Sequence, residues 1–70
     1  MHQLYGQVRQ VDHQNGFFQL QTQQALYTIV LPPNPGNATM QYFHNLREGQ
    51  TVTVEGTLTG ATRVDLYRFI

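Results

Sequence analysis

Seventy residues without a cysteine leave room for one small core and no disulfide framework, since a chain this short buries only about 60% of the surface its unfolded form exposes. Four arginines, no lysine and four acidic residues give a formal net charge of zero, which argues against strong non-specific binding to phosphate backbones, because such binding draws on a basic excess. Ten glutamines and eight threonines supply the polarity instead, hydrating a β surface without a field that steers charged ligands.

A first strand is expected over residues 4–12. Leu4, Gly6 and Val8 keep a two-residue period that then jumps to Val11, and the slip near Arg9 and Gln10 predicts a bulge that bends the strand. His13-Gln14-Asn15-Gly16 predicts a hairpin connection, with Asn15 and Gly16 expected at positive φ. In the second strand Phe18, Leu20 and Thr22 face one side. Phe17, Gln19 and Gln21 face the other, which makes Phe17 a candidate exposed aromatic.

After the polar turn at Gln23 and Gln24, residues 25–31 predict a third strand rich in β-branched and aromatic side chains. Its nearly continuous apolar content allows two readings: both faces partly covered, or Tyr27 and Ile29 forming a contact surface. Pro32-Pro33-Asn34-Pro35-Gly36 stops the ladder, because proline cannot donate a backbone hydrogen bond. Asn37 or Thr39 then caps a short helix in which Met40, Phe43 and Leu46 recur every three residues; an irregular lid held by the same side chains is the alternative.

Arg47-Glu48-Gly49-Gln50 forms the next turn. Residues 51–59 carry the clearest pattern, with Val52, Val54, Gly56 and Leu58 on a core face and Thr51, Thr53, Glu55, Thr57 and Thr59 on a wet one. Gly56 on the buried face predicts sharp coiling or the close approach of another strand. After a turn at Gly60-Ala61-Thr62, residues 63–70 form the last strand, with Val64 and Leu66 on one face and Tyr67 and Phe69 on the other. With no repeat and no linker, residues 1–70 read as one domain.

This order resembles the OB-fold, an all-β, five-stranded barrel with a short helix between the third and fourth strands. The most specific stretch is Leu46-Arg47-Glu48-Gly49-Gln50-Thr51-Val52-Thr53-Val54-Glu55-Gly56-Thr57-Leu58. It is similar to the leucine, turn glycine, alternating valines and strand glycine that precede the last strand in many OB domains. Tyr5-Gly6-Gln7-Val8-Arg9-Gln10-Val11-Asp12 followed by Asn15-Gly16-Phe17-Phe18-Gln19-Leu20 resembles the first hairpin of the tRNA-anticodon-binding-like branch. An SH3-like barrel is the structural rival, and the helical insert after the third strand speaks against it.

Catalysis is not expected. Serine, cysteine and lysine are absent, the threonines fall mostly in strands and turns, and Glu48 and Glu55 occupy a turn and a solvent face. His2, His13 and His44 are widely spaced, and the neighbours Asp12 and His13 point to opposite faces of a strand, so neither a metal site nor a cofactor is expected. Met1-His2-Gln3-Leu4 lacks a basic start leading into an apolar stretch, and no apolar run approaches the ~20 residues of a membrane span. A soluble, cytoplasmic protein is the expectation.

Two binding readings compete. In the first, single-stranded nucleic acid crosses the middle strands: Tyr5, Phe17 and Tyr27 stack bases, Arg9 and Arg63 meet phosphates, and Gln7, Gln19 and Gln21 hydrogen-bond base edges. The bland counterpart has the aromatics capping the barrel and the glutamines merely solvating it. In the second, the chain binds another protein or a second copy of itself through an apolar C-terminal edge of Tyr67, Phe69 and Ile70, whose bland counterpart is core filling at the barrel seam.

Overall fold

The alternation of apolar and polar side chains builds five strands, and a computed structural model describing residues 1–70 arranges them as β1 (His2–Asp12), β2 (Phe17–Gln21), β3 (Leu26–Val30), β4 (Thr51–Leu58) and β5 (Arg63–Phe69). A single helix, α1 (Asn37–His44), lies between β3 and β4. The strands close in the order β1-β2-β3-β5-β4, with β4 returning to β1. All pairings are antiparallel except β3 with β5, where Thr28–Val30 runs alongside Arg63–Asp65. A closed five-stranded barrel with one helix between β3 and β4 is compatible with the OB-like fold that the element order resembles.

The bent first strand serves both halves of the barrel. Residues 2–7 pair with β4, and residues 7–12 pair with β2. The register slips between Val8 and Gln10, so Arg9 is the bulged residue, as the broken period predicts. Two glycines permit the tightest crossings. A Cβ on Gly6 would overlap the Gln21 carbonyl oxygen, and one on Gly56 would overlap the Asp65 carbonyl oxygen. Only a residue without a side chain fits either place.

Ten apolar side chains form the core: Val8, Phe18, Leu20, Ile29, Phe43, Leu46, Val52, Val54, Val64 and Leu66. Several expectations change here. Leu58 is 41% exposed, because β1 accompanies β4 only as far as Gly56, and Met40 is 47% exposed although Phe43 and Leu46 from the same stripe are buried. Gly36, not Asn37 or Thr39, stands at the helix N-cap and no side chain caps it. In the first hairpin only Gly16 takes positive φ (74°), and Asn15 does not. Asn15 instead donates its backbone and side-chain N–H groups to the Asp12 carboxylate, which winds residues 12–16 into a single turn closed by Gly16 N–H to Asp12 C=O.

The last strand also departs from simple alternation. Glu55 lies opposite Arg68 and Gly56 opposite Leu66, leaving Tyr67 as an extra residue on β5. The bulge sends Tyr67 outward and turns Phe69 back towards the core, opposite Val54. Phe69 then stacks on Phe18 (5.8 Å between centroids) and Tyr42 (4.3 Å), so it belongs to the barrel's packing and not to an apolar edge. No helix is long and apolar enough to cross a membrane.

Candidate functional site

The outer face of the sheet carries the functional candidates, and cross-strand register fixes which of them meet. Gln10, Gln19, Thr28 and Arg63 stand opposite one another across β1, β2, β3 and β5. The next row towards the hairpin turn is Asp12, Phe17, Val30 and Asp65, and the row on the other side begins with Gln7, Gln21 and Leu26. Phe17, Gln19 and Arg63 therefore share one surface. Gln10 and Thr28 complete it and escape a reading from sequence alone, because the Arg9 bulge decides that Gln10 faces outward.

Two aromatics lie elsewhere. Tyr27 pairs with the buried Leu20, and its ring is half-buried against the core on the inner side of β3. It cannot stack a base from outside, which corrects its expected placement. Tyr5 is 66% exposed but pairs with Thr53 of β4, towards the side of the barrel where the Thr53 carbonyl accepts the Ile70 N–H.

Most of the positive charge is already engaged. Arg68 is paired with Glu55 at 2.8 Å and Arg63 with Asp65 at 3.3 Å. Arg47 donates to the His44 and Leu46 carbonyls at the end of α1, where orphan helix carbonyls attract a cation. Arg9 alone lacks a carboxylate or carbonyl partner; its nearest polar contact is the Gln7 amide oxygen at 3.4 Å. The Asp12 carboxyl is held below the usual carboxylate range by the Asn15 side-chain amide first and the Asn15 backbone N–H second, so a negative charge stands fixed beside Phe17.

Two concavities flank these strands. One, of about 370 Å³, lies between the first hairpin turn, the proline segment and α1, with His13, Pro32, Pro35, Met40 and His44 in its wall. His13 leans on Phe43 at 5.2 Å and on His44 at 6.3 Å. No group of three or more histidine, cysteine, aspartate or glutamate side chains converges anywhere in the chain. The other concavity, of about 510 Å³, lies between the first half of β1 and the β2–β3 turn, with Tyr5 on its wall.

Against known families, curated proteins and solved structures, the chain has no match. The barrel and its surfaces therefore carry the functional reading by themselves.

Proposed function

We propose that the chain is a non-catalytic, cytoplasmic binding module of the OB type that takes single-stranded nucleic acid with modest affinity on the outer face of β1, β2, β3 and β5. What supports this is the row of Gln10, Gln19, Thr28 and Arg63 beside the ring of Phe17. A ring on such a face offers stacking worth about 1–3 kcal/mol per base, and amides offer the paired donor and acceptor that base edges use. The resemblance of the first hairpin to the tRNA-anticodon-binding-like branch agrees with it.

Phosphates contribute little in this reading, because Asp65 offsets Arg63 and Asp12 stands one row away. Fluorescence anisotropy with labelled oligo-dT and oligo-U tests the reading. The logarithm of affinity is expected to fall with the logarithm of salt at a slope of only about −0.7 to −1.4, one or two phosphates' worth. Phe17→Ala is expected to weaken binding about tenfold, the equivalent of one lost stack. An unchanged anisotropy at low salt with about 1 mM protein removes the reading.

A specific observation also favours a protein partner or a homodimer. Tyr5, Tyr67 and Ile70 are each more than half exposed, and Tyr5, Thr53 and Ile70 lie side by side across β1, β4 and the chain end. Zero net charge removes the repulsion that keeps small domains apart. Sedimentation equilibrium decides the homodimer: a mass that does not rise with concentration dismisses it.

A further inference from the structure

We infer that the concavity between the first hairpin turn, the proline segment and α1 is a binding site for Cu(I), held by the imidazoles of His13 and His44 and the thioether of Met40. All three side chains stand in the wall of this space of about 370 Å³. None of its lining residues belongs to the face proposed above for nucleic acid.

The fold gathers these ligands from two separate elements. The turn over residues 12–16 carries His13 over the end of α1, where its ring rests 5.2 Å from the buried Phe43 and 6.3 Å from His44. Met40 precedes His44 by one helical turn, so a single face of α1 presents both side chains. Met40 is also the member of its apolar stripe that stays out of the core, which leaves its sulfur at the concavity. A metal ion sits about 2.0–2.1 Å from an imidazole nitrogen, so an ion shared by two rings holds their centroids roughly 5 to 6.4 Å apart, depending on the angle at the metal. His13 and His44 fall within that span, towards the wide angle that Cu(I) adopts with two or three ligands.

The donor set selects the ion. Histidine, cysteine, aspartate and glutamate alone form no group of three, and the third donor is a thioether, a soft ligand that favours Cu(I). Charge points the same way. The rest of the wall is Leu31, three prolines, Phe43 and the neutral residues 14–16, with no carboxylate or thiolate to offset a divalent ion. Asp12 keeps its carboxylate on Asn15, and Arg47 turns its guanidinium to the His44 and Leu46 carbonyls. Along the sequence His13 has only Asp12 beside it; the closed fold supplies its partners from α1.

Titration with Ag(I), which shares the charge and softness of Cu(I) and is stable in air, tests the assignment. The chain has two methionines, so carbon–proton spectra separate the Met40 methyl group from that of Met1. One equivalent of Ag(I) is expected to shift the Met40 methyl and the His13 and His44 ring signals and to leave Met1 and His2 unmoved. Competition with bicinchoninate under anaerobic conditions is expected to give one Cu(I) site with a Kd below about 1 μM. Met40→Leu is expected to weaken Cu(I) about tenfold and to leave Zn(II) binding unchanged, because only the soft ion uses the thioether. His44→Gln is expected to weaken Cu(I) about a hundredfold. These positions are exposed, so the fold is retained, and the Met40 methyl of the unaltered chain reports on the site without any variant. An unmoved Met40 methyl, shifts confined to Met1 and His2, or a Cu(I) Kd above about 1 μM overturns the assignment. Equal losses of Cu(I) and Zn(II) in Met40→Leu overturn it too. Phe17→Ala is expected to leave ion binding unchanged, and Met40→Leu to leave oligonucleotide anisotropy unchanged, so the two sites fail or stand separately.

Discussion

Beneath the helix, Phe18, Phe43, Phe69, Tyr42 and His13 form a chain of ring contacts 4.3 to 6.2 Å apart that fills the barrel mouth; beside the β2–β3 turn, glutamines line an open cleft around a single exposed tyrosine. Both regions are built where strands give way to connections. The first packs its phenylalanine rings against one another as part of the barrel's core. The second keeps most of its side chains solvated, with Gln7, Gln21, Thr22 and Gln24 hydrogen-bonded into the wall and the Gln3 and Gln23 side chains bonded to no other residue. The contrast separates residues that hold the barrel together from residues that face solvent, so each set can be altered without the other.

The harshest way to break that division is to empty the packed region. Phe18 is fully buried, and Phe18→Ala is expected to cost about 3–5 kcal/mol, as much as a core of this size supplies, so circular dichroism should find the variant largely unfolded at 25 °C. Gly56→Val drives a branched side chain into the Asp65 carbonyl and is expected to cost about 3 kcal/mol, read as a lower urea midpoint. Arg68→Ala removes a surface ion pair whose arginine is 59% exposed, for an expected loss of about 0.2–1 kcal/mol that shrinks in high salt. Tyr5→Ala, in the open region, is expected to change stability by no more than about 0.5 kcal/mol. A large loss from Tyr5→Ala, or a small one from Phe18→Ala, would erase the distinction.

Acid supplies a finer probe of the same boundary. Because Asn15 holds the Asp12 carboxyl below its unfolded value, the turn's contribution is complete above that unfolded value and is lost as pH falls through the lowered folded one. Asp12→Asn is expected to flatten the acid limb of the stability curve measured by urea unfolding at a series of pH values. An acid limb identical to that of the unaltered chain would show that this turn is not the titrating element.

How far these features can be read from the chain depends on whether they leave a periodic trace. Val52 and Val54, Phe18 and Leu20, and the slip at Arg9 are visible because a strand's two faces differ in polarity and a bulge interrupts the count. The Tyr67 bulge leaves no such trace: Leu66, Tyr67, Phe69 and Ile70 are all apolar or aromatic, so a displaced register looks the same as a regular one. Leu58 and Met40 match their patterns and still reach water, since a pattern gives direction but not where the wall ends. Tyr27 misleads for a related reason, being amphipathic enough for either face. The glutamine cleft is hidden more completely. Its residues come from three separated segments, and only the closure of β1 against β2 and β4 gathers them.

The pairing of His2 with Gly56 also sets the timetable of assembly. A polypeptide leaving the ribosome amino end first must hold its opening strand half-unmatched until more than fifty residues have followed, and the seam beside Thr28 waits longer still, for Arg63. Long-range matching of this kind slows folding relative to local hairpins and leaves unsatisfied strand borders exposed meanwhile. A chain that ends before Arg63 therefore holds four strands and a helix with the barrel still open beside β3, and exposed strand borders of that kind invite aggregation.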